Sequence, residues 1–244
     1  MIELTFIEHL QIIFLIINIA SNHALAIVMI YKFYKYRVKE LLLIGITLLT
    51  TAIFHYYVFI ISYILILYTG EPINVFYVYI TFPIASLWIV VWIIAYSYLT
   101  HPSRTKLFSA FIICYLSIFE TYYIYILLTR PSNLGELMRG HYMNWAPFIS
   151  LYLLITMILL VITGIDFSIK AMLSDSQELQ LKGKVILLAI IVTFFAVLFE
   201  SIIQLQGLLF IIPRTLHIFS GILLYIGFVL PKGIKNRLIK DQKE

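Results

Sequence analysis

Three ionisable residues, Glu200, Arg214 and His217, stand inside apolar runs that carry almost no other charge. The turn signal between the first two is Gln-Leu-Gln-Gly, and Gly207 is equidistant in sequence from Glu200 and Arg214. If the flanking segments are antiparallel helices joined at that glycine, a rise of 1.5 Å per residue puts both side chains on the order of 10 Å below the turn. A carboxylate and a guanidinium at equal depth on adjacent helices can pair, and in hydrocarbon each needs such a partner. His217, three residues after Arg214 on the same helix face, sits about one turn deeper and can donate to or accept from the same carboxylate. Glu120, flanked at helical spacing by Ser117 and Tyr123, is a second acid at similar depth. Together these four residues outline a polar cavity able to hold a ligand or a proton, or a network that locks helices together.

The elements that must position them follow from composition. The 244 residues are 62% hydrophobic and 12% charged, with a mean hydropathy of +1.01, whereas soluble domains are about a quarter charged. Long uncharged runs recur at intervals of roughly 35 residues, each near the ~20 residues that cross hydrocarbon. The expected fold class is an all-α integral membrane protein, a seven-transmembrane-helix bundle, with spans at about 5–31, 41–68, 76–99, 107–128, 147–170, 185–206 and 209–231. Residues 1–231 then form a single membrane domain and 232–244 a short basic tail, and no connection is long enough to be a domain. The N-terminal Met-Ile-Glu-Leu-Thr-Phe has no basic n-region, so the first helix is expected to persist rather than to be cleaved.

Orientation follows from lysine and arginine placement. If the first, third and fifth connections and the tail are cytoplasmic, they hold fourteen of the seventeen Lys and Arg residues, leaving Arg130, Arg139 and Arg214 towards the outside. The expected topology has the N-terminus outside and the C-terminus cytoplasmic, in a multi-pass protein of the cell membrane. The basic residues are then used in topology and in attraction to anionic headgroups, so the +5 net charge implies the lipid bilayer as partner and no nucleic acid.

Polar residues at helical spacing mark inward faces. In helix 1 these are Glu8, Gln11, Asn18 and Asn22; in helix 2, Thr47, Thr51, His55 and Ser62; in helix 6, Thr193, Glu200 and Gln204. Most such Thr, Ser and Asn residues are expected to serve interhelical hydrogen bonding. Asp166 and Lys170, four apart near the end of helix 5, are expected to pair locally.

Absent motifs narrow the function. No two of the six histidines stand at i and i+4, so no helical zinc pair exists, and there is neither a Gly-x-Ser-x-Gly element nor a phosphate loop. An enzyme and a bound metal are therefore not expected. Helix 7 has no lysine between Arg214 and Pro231, which leaves a retinal-type cofactor without an attachment point. Cys114 has no partner in the chain, so no disulfide is available. The expected function is that of a seven-helix receptor-like sensor with a polar outer-half cavity, signalling through a separate partner at the basic cytoplasmic face; its topology resembles the seven-helix sensor halves of membrane histidine kinases. A small-solute or proton-coupled carrier, with substrate at a polar midplane site, is the alternative, and a purely structural membrane protein the third.

Overall fold

A computed structural model of the chain describes residues 4–139, 142–202, 209 and 211–238, with the side chains of residues 40, 51–55, 85, 201, 202 and 238 excepted. Among the described residues the helices are α1 (Phe6–Tyr36), α2 (Lys39–Thr69), α3 (Val75–Ser86), α4 (Trp88–Thr100), α5 (Thr105–Thr129), α6 (Pro147–Met172), α7 (Gln177–Val197), α8 (Ile211–Val229) and the short α9 (Lys232–Leu238). Among the described residues six helical segments are long and apolar enough to cross a membrane: α1, α3 running into α4, α5, α6, α7 and α8. The chain is thus an all-helical membrane bundle, the architecture that satisfies backbone N–H and C=O groups where no water is available. The 31-residue α2 carries two apolar stretches, Leu41–Thr50 and Tyr56–Thr69.

The helix ends follow local chemistry. A capping box opens α1, with Thr5 N–H donating to Glu8 Oε2 at 2.7 Å and Glu8 N–H donating to Thr5 Oγ1 at 3.4 Å. Gly70, in the left-handed region at φ 75°, closes α2 by donating its N–H to Ile66 O. Pro147 stands in the first turn of α6, where its missing N–H removes no helical bond.

The helices form a ring. α1 packs on α2 and α8, α2 on α3 and α4, α4 on α6, α6 on α7, and α7 on α8, which closes the circle. α5 lies outside it, against α3 and α4, joined to α6 by an aromatic cluster in which Phe119 stacks on Tyr152 with centroids 3.6 Å apart. The α7–α8 seam is tight because Gly227 lacks a side chain: a Cβ there would run into Ile186.

The bundle departs from the sequence reading in three places. The third segment is two helices, because Pro83 has no N–H and its ring crowds the carbonyl four residues back. That carbonyl, Tyr79 O, instead accepts from the Tyr123 hydroxyl at 2.8 Å. Past the proline, Leu87 N–H turns to Ile84 O at 3.4 Å, and the chain restarts as α4. The connection after α5 holds an antiparallel hairpin, β1 (Gly135–Met138) with β2 (Tyr142–Trp145), in the register Gly135 to Trp145 and Met138 to Tyr142. It covers one end of the bundle: Leu134 is fully buried, Trp145 packs on Phe82, and Tyr79 Oη donates to Gly135 O at 2.7 Å. Finally, α7 passes into a π-helical turn, Leu198–Ile202.

Candidate functional site: a polar cluster on a central cavity

The π turn carries Glu200. Such a turn accommodates one extra residue and re-aims the side chains on it, and π turns are frequent at functional sites. Pro213 sits in the first turn of α8, and the residue after it, Arg214, is 5% exposed. Arg214 Nη2 lies 2.8 Å from Glu200 Oε1, and His217 Nε2 lies 3.2 Å from Glu200 Oε2. From α2, the Tyr56 ring lies under the Arg214 guanidinium at 4.9 Å, and its hydroxyl is 3.5 Å from Glu200 Oε1. One carboxylate thus gathers a cation, an imidazole and a phenol from two neighbouring helices. The joint between Glu200 and Arg214 inferred at Gly207, and Gln204 beside it, lie outside the described residues.

The cluster faces a cavity of about 220 Å³ inside the ring. Tyr56, Glu200 and His217 form one wall; Asn18, Asn22 and Ser220 line the α1–α8 seam; Ser86, Tyr152 and Thr156 stand in the wall formed by α3 and α6. Between them lie Trp88, Trp92 and the aliphatic side chains of Leu48, Leu160, Ile190 and Leu224. Apolar walls with a few convergent polar groups describe a small-molecule site, and this volume, below the roughly 300–1,000 Å³ of drug-sized pockets, favours small solutes.

The other residues singled out in the sequence divide. Asn22 Nδ2 donates to Asn18 Oδ1 at 2.8 Å, and both line the cavity. Gln11 is buried in α1. Glu8 belongs elsewhere: it pairs with Arg139 of the hairpin, whose Nη2 is 3.2 Å from Glu8 Oε2, and so ties the hairpin to the start of α1. The side chain of His55 lies outside the described residues. Glu120 does not join the Glu200 cluster, because α5 is outside the ring; its Oε1 lies 2.6 Å from Ser86 Oγ, and Ser86 lines the cavity. Asp166 and Lys170 pair at 2.6 Å, with Tyr96 Oη donating to Asp166 at 2.7 Å and His101 nearby, in a half-exposed group at the opposite end of the bundle.

Sequence reasoning missed Tyr56, Ser86 and Tyr152. Ser86 carried no usable signal, because the carbonyl that Pro83 deprives of its donor is Tyr79 O, four residues back, and not the Pro83 O that Ser86 contacts. Tyr56 and Tyr152 carried none, being two of eighteen tyrosines in an aromatic-rich chain. Among the described residues no group of three or more His, Cys, Asp and Glu side chains is placed to hold a metal. Comparison with known proteins finds no family model, no curated protein and no solved structure that matches the chain.

Proposed function

We propose that the protein is a seven-helix, receptor-like membrane sensor whose central cavity takes a small polar ligand and whose rearrangement is read by a separate protein. In this reading α2 is the seventh span, since its 31 residues exceed the ~20 that cross hydrocarbon. The lysine and arginine distribution puts the N-terminus outside and the C-terminus in the cytoplasm, so the hairpin and the Glu200 cluster occupy the outer half.

The observation that carries the proposal is the Glu200–Arg214–His217 group, bridging α7 and α8 from a π turn, with Glu200 and His217 lining the cavity. Ionisable residues at membrane depth default to functional candidates. A ligand group that competes for Glu200 redistributes contacts across the α7–α8 seam. The displacement has a path to the basic end, because α9 follows α8 directly and Lys235 Nζ holds Glu178 of α7 at 2.6 Å. A ligand drives such a change only to the extent that it prefers one arrangement over the other.

The test is thermal unfolding of the purified protein in lipid nanodiscs against small amines, carboxylic acids and neutral amphiphiles. One class is expected to raise the midpoint of the native protein and to lose that effect in Glu200→Gln. Equal stabilisation of both proteins removes Glu200 from the site, and no stabilisation by any class leaves the cluster as a helix lock.

The break between α3 and α4 favours a second reading, because discontinuous helices beside a central cavity are how many carriers hold substrate. Solute or proton accumulation in proteoliposomes would select the carrier over the sensor.

A further inference from the structure

Glu120 is the acid that the Glu200 cluster leaves out. Among the described residues its hydrogen-bond partner is Ser86, and its second oxygen, Oε2, is buried without one. The titratable groups around it are tyrosines: Tyr152 from α6, whose buried hydroxyl also lies beside Ser86 and Thr156, and Tyr123 on α5 itself, with Ser86 approaching from α3. Neither α4 nor any other element presents it with a described lysine, arginine or histidine. A carboxyl oxygen buried with no cation beside it is costlier to hold charged than neutral.

The hydrogen count at Ser86 points the same way. Ser86 Oγ lies 2.6 Å from Pro83 O and 2.6 Å from Glu120 Oε1. A hydroxyl has one hydrogen, and one hydrogen shared between two acceptors would not hold both contacts at the short end of the O–H···O range. Pro83 O needs that hydrogen, because Leu87 N–H, its regular helical donor, has turned to Ile84 O. The second hydrogen must then come from Glu120.

We infer that Glu120 is a proton-binding site: in its acid form it donates to Ser86, Ser86 donates to the Pro83 carbonyl, and this chain holds the α3–α4 break in its present geometry. Loss of the proton to water in the cavity leaves a carboxylate that can only accept. The Ser86 hydrogen then turns to Glu120, Pro83 O is left without a donor in a part-buried place, and the break relaxes to another geometry. Ser86 is a positioning residue, passing the protonation state of α5 to the joint of α3 and α4. Both Ser86 and Tyr152 line the central cavity, so the site communicates with it. The inference stands on the hydrogen count at the break and not on what fills the cavity, so failure of the ligand reading leaves it intact.

The test is a spin-label distance between α3 and α4 in the full chain in lipid nanodiscs. Labels go at the exposed positions Tyr77→Cys and Tyr98→Cys, in a Cys114→Ser background that removes the exposed native thiol. The separation is expected to change as the pH is raised from acidic to alkaline. Glu120→Gln, whose amide donates as the acid does, is expected to keep the acid-form separation throughout, and Ser86→Ala to lose the pH response. An unchanging separation in the native background, or the same pH response in Glu120→Gln or in Ser86→Ala, overturns the inference.

Discussion

Glu200 and Glu120 are both acids at membrane depth on the apolar helices of one bundle, yet the protein treats them oppositely. Glu200 meets an arginine at 2.8 Å and a histidine at 3.2 Å, under a tyrosine from a third helix. Glu120 meets a serine at 2.6 Å and otherwise faces aromatic rings. A cation supplied by the fold balances the first carboxylate and couples helices, while the second has none beside it and, in the inference above, depends on a proton. Burial alone therefore does not decide what a membrane carboxyl does; the neighbouring helix decides it.

Breaking the charged pair has the largest expected effect. Arg214→Gln leaves the Glu200 carboxylate buried beside no arginine, and removing one partner of a buried pair costs about 3–5 kcal/mol, read as a lower unfolding midpoint in nanodiscs. Combining it with Glu200→Gln is expected to recover part of that loss, and a double-mutant cycle with no coupling would contradict the pairing. Next comes Tyr123→Phe, which takes the donor from the Tyr79 carbonyl that Pro83 has freed; a buried carbonyl left unsatisfied costs about 1–3 kcal/mol. Glu120→Gln should be milder, within about 1 kcal/mol, since the amide can keep the donation to Ser86; a loss as large as that of Arg214→Gln would erase the contrast. The smallest effect is expected for Asp166→Asn at the opposite end, where the pair with Lys170 is half-exposed and worth at most about 1 kcal/mol.

The two acids also show how much of the molecule was legible in the sequence. Long apolar runs locate where the helices lie, because the length needed to cross hydrocarbon is fixed, but not all their ends: α7 begins at Gln177, ahead of the expected start near 185. The proximity of Arg214 and Glu200 was readable because they share a depth on neighbouring helices. The place of Glu120 was not, because depth says nothing of azimuth, and only the closed ring puts α5 on the outside. The two interruptions that aim the polar groups were also hidden. A π turn at Leu198–Ile202 has no composition of its own, and Pro83 could have been accommodated as a kink in a continuous helix. The hairpin over the end of the bundle was hidden for a related reason: its strands are four residues long, too short for an alternating pattern to declare itself.

The contrast between the two acids is tested most directly by infrared spectroscopy of the protein in lipid at neutral pH, following the carbonyl stretch of protonated carboxylic acids. The account predicts a protonated-carboxyl band in the native protein that disappears in Glu120→Gln and remains in Glu200→Gln. A band that survives in Glu120→Gln, or that is lost in Glu200→Gln, would contradict it.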